Sequence, residues 1–197
     1  MLTQTRWVRW LVPWLVCVIL LQAGCPGWHS ATQAQKVNPD ARIVKEFNDR
    51  VQEYVKLHKR VEAGLPPLSK KTDAESMAAH QQALVGALRA ARPNAKPGDI
   101  FTPAVQRYLL RILSGQLKGP GTASARAAIK ESSPKNLPLR VNEPYPEAAP
   151  LPMVPPALLL NLPKLPEEMD YRFVDRHLIL RDTRANLIID FIAEVIP

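Results

Sequence analysis

The residues in this 197-residue chain that could do chemistry are few, and most lie near its end. His177, Asp182 and Asp190 fall within fourteen positions of one another, in a segment rich in β-branched and aromatic residues. A histidine with two carboxylates is the minimum set for general acid–base hydrolysis, and carboxylates with histidine also ligate metals. His58 and His80 form a second candidate group. They stand at similar distances from the connection between two predicted helices, where an antiparallel hairpin would bring them within a turn of each other as a two-histidine ligand pair. No carboxylate is placed by the pattern to complete that set, and a histidine on a helix–helix seam is the ordinary reading of His58.

Motifs that would fix a reaction class are missing. There is no phosphate-binding glycine loop, dinucleotide fingerprint, nucleophile elbow or paired-histidine metalloprotease signature. Ser132-Ser-Pro-Lys135 matches the Ser-x-x-Lys pattern of penicillin-binding enzymes. There the serine opens a helix, whereas Pro134 here follows the end of one, and the companion motifs are absent, so the match is fortuitous.

The elements that must carry these residues read as one α+β domain over residues 35–197, preceded by a leader over 1–34. The leader has a basic start (Arg6, Arg9), an apolar run from Trp10 to Ala23 and a small-residue exit. Fourteen apolar residues fall short of the roughly 20 that span a bilayer, which favours a signal peptide. Leu21-Gln-Ala-Gly-Cys25 resembles the lipobox of bacterial lipoproteins, which implies lipid attachment at Cys25; Gln22 stands where an aliphatic residue is usual. Thr32-Gln33-Ala34 offers an ordinary cleavage site instead. Export to the periplasm or cell envelope is expected either way, with membrane association only if Cys25 is lipidated or the leader retained.

Cys17 and Cys25 are the only cysteines, so the domain has neither disulfides nor thiolate chemistry. The formal charge of +8 falls to +6 without the leader. Basic residues alternate with acidic ones instead of forming a stripe, which argues against nucleic acid as a partner. No cofactor is expected.

Residues 36–131 read as helical. Asn38-Pro39-Asp40 is a start signal, and Val44, Phe47, Val51, Tyr54, His58 and Val61 recur at helical spacing until Gly64-Leu-Pro-Pro stops the run. Thr72-Asp-Ala-Glu75 reads as a capping box opening a second helix, with Met77, Leu84, Leu88 and Ala91 as its apolar stripe. The short connection implies a helical hairpin. After a turn-rich loop, Thr102-Pro103 begins a third helix, and a short alanine-rich one is expected over 122–130.

Residues 134–166 hold ten of the chain's twenty prolines. They exclude helix and interrupt central strands, yet the leucines and valines among them need cover, which predicts an extended strap lying over the helices. The end of the chain, 167–197, predicts an antiparallel β-meander. A two-residue turn at Asp175-Arg176 sets Phe173 opposite Leu178, Tyr171 opposite Leu180 and Asp170 opposite Arg181. A loop over Thr183–Asn186 then sets Leu180 opposite Ile189 and Leu178 opposite Phe191. In that register Asp182 closes a strand and bonds to loop N–H groups. Asp190 points to the opposite face, among Arg172 and Arg181, and an arginine partner is expected because a buried unpaired carboxylate is costly.

Tyr171-Arg-Phe-Val, Leu178-Ile-Leu-Arg-Asp and Ala185-Asn-Leu-Ile-Ile-Asp-Phe, with Asp99-Ile-Phe-Thr-Pro and Leu65-Pro-Pro-Leu, resemble a family of uncharacterised exported bacterial proteins. The resemblance implies the layout and the address and carries no activity. Three functions remain open: a non-enzymatic envelope scaffold or partner-binding module, a hydrolase using Asp182, Asp190 and His177, and a small-ligand or metal-binding module. An unidentified envelope protein or the membrane surface is the expected partner. A ligand module would show an apolar pocket between strap and helices.

Overall fold

The computed structural model describes residues 38–68, 73–117, 123–134, 137–152 and 154–196. The leader with Cys25, Thr72 of the expected capping box and Lys135 lie outside them. Among the described residues no helix is long and apolar enough to cross a membrane.

Helices come first. In α1 (Pro39–Ala63) the Asn38 side chain accepts the Asp40 N–H at 3.0 Å and proline occupies the first turn. Of the stripe read from the spacing, Phe47, Val51, Tyr54 and His58 are buried and Val44 and Val61 partly so, and Val55 joins the buried face beside them. Helix α2 (Ala74–Ala91) is capped one residue later than the capping-box pattern suggests. Asp73 takes the Ser76 N–H at 2.8 Å, and that bond holds its carboxyl below the ordinary range. Only Leu84 and Leu88 of its expected stripe are buried. Met77 is exposed because the first turn of α2 borders an open cleft, and Ala91, at the other end of the helix, is exposed too. Arg92, just past α2, lies over the Tyr54 ring, while His80 near the start of α2 shares a cleft with Leu65 and Pro67 beyond the end of α1; the two helices are antiparallel. Helix α3 (Pro103–Leu117) follows Thr102, whose carbonyl accepts the Gln106 N–H at 2.8 Å, and α4 (Ala123–Ser132) is short.

Strands β1 (Met169–Val174), β2 (His177–Asp182) and β3 (Leu187–Ile192) form an antiparallel sheet in sequence order. The fold is α+β. Asp175 adopts φ +52° in the two-residue turn, doing without glycine what such hairpins require. The β1–β2 pairing has Asp170 opposite Arg181, Tyr171 opposite Leu180 and Phe173 opposite Leu178.

The sheet is covered on both faces. Tyr171, Phe173, Leu178, Leu180, Ile189 and Ile192 pack on α1 and α3 in the main core. Val174, Ile179 and Ile188 pack on Tyr145, with Leu137, Leu139 and Ala149 beside them.

This corrects the expected path of the strap. Its first half lies on the far face of the sheet and meets the helices at the end of α2, where Asn142 donates to Arg89 O and Arg92 O and Glu143 pairs with Arg89. Through its backbone N–H Asn142 also donates to Ile188 O at 2.8 Å, Ile188 donates to Glu143 O at 2.9 Å and Tyr145 donates to Asn186 O at 2.7 Å, so the strap runs along the edge of β3. Pro144, which has no N–H, sits opposite Leu187 within that ladder. The second half enters the main core between sheet and helices, through Val154, Leu158 in the single turn α5 (Pro156–Leu159) and Leu162. A sheet apolar on both faces needs two covers, and a strap stiffened by proline supplies the second at low entropic cost.

Candidate functional site

The second hairpin decides where the carboxylates point. Asp182 pairs with Leu187 and Arg181 with Ile188, but Leu180 pairs with Asp190 and Leu178 with Ile192. One extra residue, Ile189, is accommodated as a bulge, so the expected Leu180–Ile189 and Leu178–Phe191 pairings are displaced by one residue. Asp190 is thereby turned to the helix side. It shares a face with Asp182 instead of opposing it, and both are fully buried.

Among the described residues Asp190 meets no arginine. Its Oδ1 accepts the N–H groups of Gly98 (3.0 Å) and Phe191 (2.8 Å), and its Oδ2 those of Ile100 and Phe101 (2.8 Å each). The loop from α2 to α3 is thus wrapped around one carboxylate. Gly98 can aim its N–H there because it adopts φ +91°, a conformation that side chains rarely accept. Phe101 completes the docking by stacking on Phe47, ring centroids 5.9 Å apart. Burial pushes the Asp190 carboxyl up from its usual range, and the four amides pull it back.

The expected arginine pairing is made by another carboxylate, on the strap side. Asp170 receives Arg181 Nε and Nη2 at 3.1 and 2.8 Å, and Arg172 Nε and Nη2 at 2.9 and 2.7 Å. Arg172 therefore serves Asp170 and not Asp190, because the bulge has carried Asp190 to the opposite face. Arg181 also donates to Asn186 Oδ1 at 2.9 Å, which ties the charge pair to the β2–β3 turn.

Asp182 occupies the end of β2. Its Oδ1 accepts the N–H groups of Arg184 (2.9 Å) and Ala185 (2.8 Å), the turn bonds its position suggests. Its Oδ2 does something the spacing did not reveal. It accepts the Tyr54 hydroxyl at 2.7 Å and lies 2.5 Å from Nδ1 of His58, both from α1. The imidazole is completely buried, and its Nε2 lies 3.4 Å from Glu62 Oε2. Glu62 in turn takes Arg184 Nη1 at 2.6 Å.

Burial works against charge on His58, but the Asp182 hydrogen bond and charge outweigh it and raise the ring above its ordinary range. Burial likewise works against the Asp182 carboxylate, and the bonds from His58, Ala185 and Tyr54 bring it below the usual range. Both shifts favour imidazolium and carboxylate over the neutral pair. Tyr54, desolvated and facing that carboxylate, is pushed far up and stays a donor.

His177 is remote from this set. It opens β2 five residues from Asp182, about 16 Å along an extended strand. Its Nδ1 accepts the Glu194 N–H at 3.2 Å and its ring stands edge-on to Phe191. The proposed His177, Asp182 and Asp190 cluster does not assemble, because register places its members at different points of the sheet. His58 and His80 are not brought together as ligands either: His58 is committed to Asp182, and His80 lines a surface cleft. Among the described residues no group of three His, Asp or Glu side chains is arranged to hold a metal. Ser132 ends α4 instead of opening a helix, as expected for a fortuitous motif.

The surface beside the buried network is concave. A cleft of about 580 Å³ runs between the first half of α2 and the β2–β3 turn, with Glu62, Arg184, His80 and Gln81 as its polar groups and Met77 and Leu68 as exposed apolar ones. Between α2 and the strap there is a smaller opening of about 280 Å³ at Val85, Pro144 and Tyr145. Comparison with protein-family models, with curated proteins and with solved structures gives no match, which leaves the geometry of this site as the ground for a functional reading.

Proposed function

We propose that this chain is a non-enzymatic protein of the cell envelope, exported and acting as a scaffold or partner-binding module. The observation that carries this reading is how its chemically capable groups are used. Asp182, Asp190 and His58 have no exposure to solvent, and the oxygens of both carboxylates are occupied in holding loops and a helix. A general base or nucleophile must come within hydrogen-bond reach of a substrate, and these groups have no such approach. The leader and the resemblance of the closing strands to exported bacterial proteins support the address.

Asp182→Asn and Asp190→Asn test the non-enzymatic part. Structural roles lower the melting temperature of each variant; a well-folded variant with the melting point of the parent would restore a catalytic reading. Intact mass of the processed protein from a membrane fraction tests the address, since a lipid on Cys25 and cleavage after Ala34 give different masses. Chemical cross-linking in intact cells followed by mass spectrometry tests the partner, and a reproducible envelope protein is the expected product. A second reading, a small-ligand module, draws on the cleft at Glu62 and His80, whose volume is in the range of ligand sites. A thermal shift of the full chain on adding a small amphipathic ligand, lost in Met77→Asp, would favour it.

A further inference from the structure

His58 is placed as no ordinary buried histidine is. Each ring nitrogen faces a carboxylate, Nδ1 that of Asp182 at 2.5 Å and Nε2 that of Glu62 at 3.4 Å. A neutral imidazole has one N–H and one lone pair, so it would turn a lone pair toward one of the two anions. Nε2 makes no hydrogen bond there, so its tie to Glu62 is electrostatic, and only the imidazolium is attracted to both carboxylates.

The two carboxylates belong to different parts of the fold. Glu62 is on α1 and Asp182 closes β2, and each is tied to the β2–β3 turn over residues 183–186, Asp182 through the Ala185 N–H and Glu62 through the Arg184 guanidinium. The turn is therefore moored to α1 at two points with one ring between them.

The other charged and titratable groups around the ring come from every element packed there. They are Tyr54 and Lys59 on α1, Arg184 on the turn, Glu168 before β1 (3.0 Å from Lys59 Nζ), Arg92 after α2 over the Tyr54 ring, and His80 on the cleft wall beside Glu62.

We propose that His58 is a proton-operated latch: the charged ring holds the β2–β3 turn against α1, and loss of its proton loosens that turn and with it one wall of the cleft bounded by Glu62, Thr183, Arg184 and α2. The inference holds whether or not the chain is exported.

Its direction with pH follows from linkage. His58 is raised above its ordinary value of 6.5, so its contribution is complete below that value and is lost as pH rises through the folded-state value. Asp182 is lowered from 3.8, so its contribution is present above that value and is lost only on strong acidification. The latch is closed below the ordinary histidine value and opens as pH rises through the raised one. Tyr54 keeps its proton throughout and holds Asp182 to α1 when the latch is open, so the turn loosens without the domain unfolding.

The test is nuclear magnetic resonance of the full chain between pH 5 and 9. Ring nitrogen shifts report the charge of His58, and amide exchange at Ala185, corrected for the intrinsic base-catalysed rate, reports the turn. The expected result is a doubly protonated ring at pH 6.5, a midpoint above the ordinary histidine value, and Ala185 protection that falls by up to about tenfold per pH unit between the ordinary value and that midpoint and levels off beyond it. Glu62→Gln, at a partly exposed position, should leave the fold intact and move both midpoints down together. A neutral ring at pH 6.5, protection at Ala185 without a midpoint, or midpoints unmoved in Glu62→Gln would each overturn the proposal.

Discussion

Asp182 and Asp190 are the same residue type eight positions apart in adjacent strands, both fully buried on the helix side of one sheet, and they do different work. Asp190 accepts four backbone amides, three of them from a loop about 90 residues away in the chain, and among the described residues has no titratable partner. Asp182 accepts two amides from its own turn and spends its other oxygen on a tyrosine and a histidine of α1. Backbone donors cannot change charge, so Asp190 is a fixed anchor for the α2–α3 loop. The partners of Asp182 include one group that can change charge, the His58 imidazole, and on the proposal above this makes its anchor depend on pH. Buried charge in this fold is structural in both places, but only one place can respond to its surroundings.

The largest effect that would sharpen this contrast is Asp190→Ala. It strands the amides of Gly98, Ile100 and Phe101, at about 1–3 kcal/mol for each buried donor left unmet. The total approaches the whole stability of a small domain, and thermal denaturation should show a severely destabilised or unfolded protein. Asp182→Ala leaves a buried imidazolium without its counter-ion and should cost about 3–5 kcal/mol at pH 6. Urea denaturation at pH 6 and pH 9 should find that penalty smaller at the higher pH, where the ring has lost its charge. Gly98→Ala asks whether the anchor needs its backbone conformation; the strain of a side chain at φ +91° predicts a loss of about 1–2 kcal/mol in the same assay. Arg181→Leu should have the smallest effect, a few tenths to about 1 kcal/mol, because Asp170 keeps Arg172 and the pair is partly hydrated.

Local signals in the sequence were readable where local physics decides. Asn38-Pro39 and Gly64-Leu-Pro-Pro bound α1, and strand parity alone places Asp170 opposite Arg181. The β3 register was not readable in the same way, since the bulge at Ile189 is marked by no glycine or proline and inserts one residue among apolar neighbours. That single residue moved Asp190 across the sheet and exchanged its expected arginine for amides.

The Tyr54–His58–Asp182 contact joins positions more than 120 residues apart, and spacing within one helix cannot show it. A trace was present. Tyr54 and His58 put two polar groups at i and i+4 in an otherwise apolar stripe, and buried polar groups require partners. Likewise Leu178-Ile-Leu in β2 and Leu187-Ile-Ile in β3 are apolar on both faces, the hint that the strap was needed behind the sheet.

The contrast between the two aspartates is tested most directly by measuring unfolding free energy against pH, from 5 to 9, for the parent, Asp182→Asn and Asp190→Asn. Both variants should be less stable than the parent. The Asp182→Asn penalty should shrink through a midpoint above the ordinary histidine value, while the Asp190→Asn penalty shows no midpoint in the histidine range. Penalties with the same pH profile, or variants as stable as the parent, would contradict it.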